Sequence, residues 1–196
     1  MENQPTVLEG HGVRLRPLES VDGDELWRIG HFPELWKWTT NRCASRDDMQ
    51  RYIDAALAEQ IAGTALPFVT IDQESDKIVG STRFGNIDRN NRRAEIGWTW
   101  ITPEFQRSHI NTAAKLLMLT HAFDVWKCIR VELKTDRLNE DSRSAMMRIG
   151  AKQEGILRRH MITESGRFRD SVYFSIIEEE WEQTRRLLLE KIRSYK

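Results

Sequence analysis

The sequence predicts an α/β fold of the α+β type, a single domain built on one mostly antiparallel sheet with helices on both faces. Three observations carry this. Strand-like runs and amphipathic stripes alternate in the order β-α-α-β-β-β-α-β-α-β-β. Short polar turns join the three middle strands and the last two, which pairs them antiparallel. One strand-helix-strand crossover, Arg93 through Thr135, makes a single central parallel pair.

Val13 to Leu18 alternates apolar and basic residues up to Pro17 and reads as a half-buried strand. Asp22 caps a short helix ending at Gly30, and Ser45 caps another from about Asp47 to Ala62, with Met49, Ile53, Ala56, Leu57 and Ile61 on one face. Between them, Phe32 to Asn41 carries Trp36 and Trp38 and is too aromatic for a solvated connection. Leu66 to Ile71, Ile78 to Ile87 and Arg93 to Ile101 form hairpin strands. Ala113, Leu116, Leu117, Thr120 and Phe123 define a buried helical stripe within Asn111 to Val125. The strand Ile129 to Thr135 follows, then a helix Asn139 to Ile149 stopped by Gly150. Lys152 to Ile162 and Arg167 to Ile177 flank Ser165-Gly166 as a hairpin, and a charged helix closes the chain. Its stripe of Trp181, Leu188, Ile192 and Tyr195 fits docking within the chain or against a second copy in a homodimer.

The chain has 196 residues, enough for one domain that buries roughly 70% of the surface its unfolded form exposes. The expected domain spans 1–196, with a core at 13–177 and a terminal helix at 178–195. Thirty basic residues balance thirty acidic ones, so overall attraction to nucleic acid or to an anionic bilayer is not expected. No apolar stretch approaches the roughly 20 residues of a membrane span. Met1 to Gly10 lacks a basic region followed by an apolar one, which makes the cytoplasm the expected compartment. Cys43 and Cys128 form no C-x-x-C, and the histidines are scattered, so neither a disulfide framework nor a metal site is expected.

Ligands of α/β sheets bind beyond the carboxyl end of a crossover's first strand. The sequence around the loop there runs from Trp98 to Lys115. The N–H groups and dipole of the following helix suit a phosphate, Arg107 and Lys115 add positive charge, and Ser108 and Thr112 add hydroxyls. The alternative reading makes these residues ordinary caps.

Four segments carry a resemblance: Val13-Arg-Leu-Arg-Pro-Leu18, Ala94-Glu-Ile-Gly-Trp98, Pro103 to Lys115, and Glu132-Leu-Lys-Thr-Asp136 with Asn139, Ser142, Gly150-Ala151 and Glu154-Gly155. Together they resemble the GNAT superfamily of acetyl-CoA-dependent N-acetyltransferases, in particular its ribosomal-protein N-terminal group. The resemblance implies a GNAT-like domain whose sheet is splayed at its central parallel pair. Acetyl-CoA is then the co-substrate, with its pyrophosphate wrapped by Arg107, Ser108, His109, Ile110, Asn111 and Thr112 and its pantetheine bonded to the backbone of Trp100, Ile101 and Thr102. His109 and Asn111 stand where glycines are usual, and the His109 imidazole is a candidate donor to a phosphate oxygen.

Acetyl transfer to an amine needs a proton acceptor. Glu95, on the crossover's first strand, is the candidate base, because a carboxylate pressed between sheet and helices is more basic than a solvated one. The family comparison also implies it; the alternative is a carboxylate salt-bridged to Arg93 or Lys134, with Glu132 as the fallback base. Residues 139–149 lack the tyrosine that many relatives use to protonate the departing thiolate. The resemblance gives that role to Ser142 and a pantetheine contact to Asn139, although Asn139 also suits a helix cap. Trp36, Trp38 and Tyr52 are candidates to line the acceptor entrance, the alternative being core packing. Arg158, Arg159, His160, Arg167 and Arg169 make the last hairpin basic, fit for an acidic or ribosomal partner or simply solvated. The expected activity is acetylation of a primary amine, a protein N-terminal α-amine among the candidates, by direct attack in a ternary complex. Acetylation of an antibiotic or polyamine, and a non-catalytic acyl-CoA-binding module, remain alternatives.

Overall fold

Alternating apolar residues fold the chain into one eight-stranded sheet in the order β1-β2-β3-β4-β5-β6-β8-β7. The computed structural model describes residues 4–195; residues 1–3 and 196, the ends of the expected domain, lie outside the described residues. The strands are β1 (Leu8–Gly10), β2 (Val13–Pro17), β3 (Leu66–Asp72), β4 (Lys77–Asp88), β5 (Arg93–Ile101), β6 (Arg130–Asp136), β7 (Lys152–Ile162) and β8 (Phe168–Ile177). All neighbours pair antiparallel except β5 and β6, the expected parallel pair. The three-residue edge strand β1 is an addition to the sequence reading, since it is too short to show alternation.

On one face, α4 (Ile110–Thr120) and α6 (Trp181–Arg193) cover Leu15, Phe68, Phe84, Ile96, Leu133 and Phe174. The opposite face carries α1 (Gly23–Gly30), α2 (Pro33–Trp36) and α3 (Arg46–Ile61), packed on Val69, Ile71 and Trp100. Neighbours in β3 therefore point into different cores, which is why every residue of that strand is buried.

Helix ends follow local chemistry. The Ser45 hydroxyl accepts from the Asp48 N–H at 3.1 Å, as an N-cap should. Asp22 does not cap α1; its carboxylate takes the Arg16 guanidinium at 2.7 Å and the Glu19 N–H at 2.8 Å. Gly150 adopts φ +93° after α5 (Glu140–Arg148), the left-handed stop expected from sequence. Helix α4 is shorter than expected and gives way at His121 to a wide π-type turn. Ile61, expected on the buried face of α3, is 89% exposed because the last turn overshoots the core. The α6 stripe docks within the chain: Trp181 stacks on Phe123 at 5.3 Å, Leu188 and Ile192 are buried, and the Tyr195 hydroxyl accepts from Arg148.

Candidate functional site

The site starts as a defect in pairing. β5 and β6 share three register pairs, Arg93 with Arg130, Ala94 with Val131 and Glu95 with Glu132, and none beyond. β5 continues along β4 to Ile101, while β6 continues along β8 to Asp136. From Ile96 onward the edge of β5 that faces β6 is open, and its backbone groups need a partner. A bulge lies in the opened stretch. Between Ser81 and Arg83 two residue steps of β4 oppose three of β5, and Trp98 takes φ +50°. The Trp98 ring occupies the space a side chain at Gly85 would fill, with the Arg83 guanidinium 4.4 Å from its centre.

Glu95 is the last paired residue of β5 and is 3% exposed. Its Oε2 accepts from Lys134 Nζ and from Asn86 Nδ2, both at 2.8 Å. Its Oε1 has no partner among the described residues and lies on the side of Gly97, where an added Cβ would stand 3.1 Å away. Glu95 is thus buried as expected and also paired with Lys134, one of the two partners named in the alternative reading, with one oxygen left over. Glu132, the fallback base, is held by Arg130 Nε at 2.9 Å and Arg93 Nη1 at 3.2 Å. The sequence reading named Lys134 as a salt-bridge partner but missed Asn86 and the access that Gly97 leaves. The signal was present: Glu132, Lys134 and Asp136 alternate with apolar Val131 and Leu133, putting charge on one face of a central strand. Tyr173, opposite Lys134 in register, joins that face, and burial pushes its phenol up.

At the far end of the opening, Thr102 donates its N–H to Val79 and the chain turns through Pro103–Phe105 into α4. Arg107 is exposed and takes the left-handed φ of +58°. Ser108 Oγ donates to the Phe105 carbonyl at 2.6 Å and accepts from the Ile110 N–H at 3.3 Å. His109 has ordinary helical angles (φ −67°, ψ −20°), so no glycine is required there. Its imidazole is directed at the β1–β2 turn, where Nε2 would stand 2.8 Å from a Cβ at Gly12. That packing corrects the expected phosphate contact. Asn111 Oδ1 and Thr112 Oγ1 are enclosed without partners at the start of α4, where the helix also leaves N–H groups unpaired. Unsatisfied donors, a hydroxyl and an exposed arginine at one helix start fit a pyrophosphate.

Lys115 does not join them. It faces the sheet, 5% exposed, donating Nζ to Thr99 Oγ1 at 2.7 Å and Thr82 Oγ1 at 3.4 Å. Burial pushes its amine down to about 7. Asn139 caps α5, accepting the Ser142 N–H at 3.1 Å, and the Ser142 side chain is half-buried on that first turn. Trp36 and Tyr52 are core residues and not an entrance. Trp36 donates Nε1 to the Gly30 carbonyl and packs against Tyr52 and Trp100 at 5.4 and 5.7 Å. Tyr52 donates its hydroxyl to the Trp98 carbonyl at 3.3 Å, tying α3 to the bulge. Trp38 stays at the rim, half-exposed, with Arg167 5.8 Å from its ring.

The mixed sheet is thus opened at its one parallel pair, with the start of α4 at the mouth of the gap. The chain belongs to the acetyltransferase (GNAT) domain family, whose model matches residues 13–152. It is 38% identical over 105 residues to YdaF of Bacillus subtilis (strain 168), provisionally named a ribosomal N-acetyltransferase; the match covers 54% of this chain and 56% of YdaF, so it spans little more than half of that relative. A GCN5-related N-acetyltransferase from Brucella melitensis superposes with a TM-score of 0.88 at 30% identity, over 96% of this chain and 86% of that one. RimJ of Mycobacterium smegmatis, solved in complex with CoA-disulfide, superposes with a TM-score of 0.82 at 25% identity over 96% of each chain. No helix among the described residues is long and apolar enough to cross a membrane.

Proposed function

We propose that this protein transfers the acetyl group of acetyl-CoA to a protein N-terminal α-amine, by direct attack within a ternary complex. The observation that carries the reading is the open edge of β5 beyond Glu95. An amide-rich pantetheine satisfies such an edge as an added strand does, here on the backbone of Trp100, Ile101 and Thr102. Arg107, Ser108 and the first N–H groups of α4, with Thr112 Oγ1, hold the pyrophosphate. Acetyl-CoA supplies an activated thioester. Glu95 Oε1 takes the proton of the attacking amine, and Lys134 and Asn86 fix the carboxylate through Oε2. Ser142 donates to the departing thiolate; the Asn139 amide nitrogen, left over by the cap, reaches the pantetheine. Trp38 borders the acceptor's path, backed by Trp36 and Tyr52.

An α-amine favours this machinery. Its pKa near 7.7 to 8.0 leaves a useful neutral fraction at pH 7, whereas a lysine amine near 10.4 needs a shift of about 3 units, roughly 4 kcal/mol. The provisional naming of YdaF as a ribosomal N-acetyltransferase supports a protein acceptor, and the likeness to RimJ solved with CoA-disulfide supports a CoA donor. The test is thiol release from acetyl-CoA with peptides, polyamines and aminoglycosides as acceptors. Release with peptide α-amines is expected. CoA binding without release from any acceptor makes the protein an acyl-CoA-binding module instead.

A further inference from the structure

We propose that Arg169 is a recognition residue for the acyl acceptor, and that the preferred acceptor is an amine that also carries a carboxylate. The inference rests on the acetyl-transfer reading above and narrows it to a class of substrate.

Strand alternation puts Arg169 on the same face of β8 as Ser171 and Tyr173, and the register sets these opposite Asp136 and Lys134 of β6. Lys134 in turn holds Glu95. The face is the one turned away from α4, since Val172, Phe174 and Ile176 fill the core beneath that helix. A pyrophosphate at the start of α4 is therefore not the partner of Arg169.

Arg169 is 6% exposed, its Nε is enclosed without an acceptor, and its guanidinium makes no ion pair among the described residues. Its neighbours are paired. Lys134 has Glu95, Arg130 has Glu132 and Glu154, and Arg167 has Asp136. Asp136 also accepts the Leu138 N–H, so the nearby carboxylate is already engaged. Burial works against the charge of Arg169, Asp136 and then Glu95 act electrostatically in its favour, and Arg167 acts against it. Arginine keeps its proton even so.

A buried cation without a counter-ion is a costly arrangement unless a ligand completes it. Arg169 is left without an ion pair on this face among the described residues, and its planar fork of donors fits a carboxylate. Glu95 and Asp136 also repel anions, so a singly charged group is accommodated where a dianionic phosphate is not. The carboxylate comes either from the acceptor's own α-carboxyl, as in a free amino acid, or from an acidic side chain near a peptide N-terminus.

The experiment uses acceptor pairs that differ only in acid against amide: amino acids against their carboxamides, and short peptides with Glu against Gln at the second position. Thiol release from acetyl-CoA gives kcat/KM for each. The acid member of at least one pair is expected to be favoured by about tenfold or more, and the pair that shows it identifies the source. Arg169→Gln should collapse that ratio toward one, with Arg169→Lys retaining part of it. Equal rates for acid and amide in the intact enzyme overturn the proposal, as does a preference that survives in Arg169→Gln. If Arg169→Gln fails to fold, the acid-to-amide ratio of the intact enzyme and its fall with added salt decide. If no amine is acetylated, the acetyl-transfer reading fails by itself. Titration of the acids and amides onto the intact protein, followed by tryptophan fluorescence, then tests Arg169 without turnover, and equal affinities refute it.

Discussion

Replacing Lys115 by methionine isolates the effect of an amine held in the core. The side chain is 5% exposed, bonds only to the hydroxyls of Thr99 and Thr82, and has its pKa pushed from 10.5 to about 7 by burial. Below about pH 7 the folded protein must hold a charged amine without a carboxylate partner. Between about 7 and 10.5 the unfolded chain binds a proton that the folded one does not, so stability rises with pH across that window. Above it both states are neutral and the penalty is gone. At 1.36 kcal/mol per pH unit the full penalty reaches ~5 kcal/mol at low pH. Methionine keeps the length and removes the proton. It forfeits hydrogen bonds worth ~1 kcal/mol each, while Thr82 and Thr99 still bond each other at 2.7 Å. Lys115→Met should therefore stabilise the protein by roughly 3 kcal/mol at pH 6, with the gain vanishing at about pH 9 and turning into a small loss by about pH 10. Urea unfolding of both proteins at intervals from pH 6 to 10 measures this. A difference that does not depend on pH, or one that grows as pH rises, would refute the reasoning.

Glu95→Gln keeps the side chain's shape and removes the proton acceptor; thiol release should fall by about 10² to 10⁴ while the acetyl-CoA Kd holds, and unchanged rates at every pH would take Glu95 out of the mechanism. His109→Gly should leave CoA affinity within about threefold and cost about 0.5 to 1 kcal/mol of stability in a thermal melt, because the imidazole packs on Gly12; abolished CoA binding would instead make it a ligand contact. Gly97→Ala puts a methyl 3.1 Å from Glu95 Oε1 and should lower kcat/KM by about tenfold with CoA affinity retained. A normal turnover number in that variant would show that the acceptor does not approach past Gly97.

Most of the fold was legible because period-two alternation survives in the strands. β5 ran from Arg93 to Ile101 as read, and the single parallel pair followed from the single crossover. What failed to show depended on distant neighbours. Lys115 reads as a charge for the phosphate loop, yet α4 is buried on nearly all sides between the sheet and α6, and the stripe has no outward face to give it. Trp36 and Tyr52 look like a recognition pair until Trp100 of β5 packs on Trp36 and closes an aromatic cluster in the same core. Asn139 was ambiguous for the opposite reason: the capping geometry is local and is realised, and it uses only the side chain's oxygen.

The gap and the candidate base have a common origin in β5. Each strand of the parallel pair keeps a full antiparallel partner on its other side, β4 for β5 and β8 for β6. Neither depends on the other for its backbone bonds over most of its length, so separating them does not unravel the sheet. The bulge at Trp98 lets this happen, since an extra residue raises the local twist and turns β5 away from a strand that β8 holds for seven register pairs. Pairing ends at Glu95, which leaves that carboxylate at the apex of the opening with Lys134 of β6 still within reach and Gly97 offering no side chain to cover it. Tyr52 and Arg83 then secure the bulge, one by bonding the Trp98 carbonyl and the other by stacking on its ring. The local irregularity that opens the gap also determines which carboxylate stands beside it.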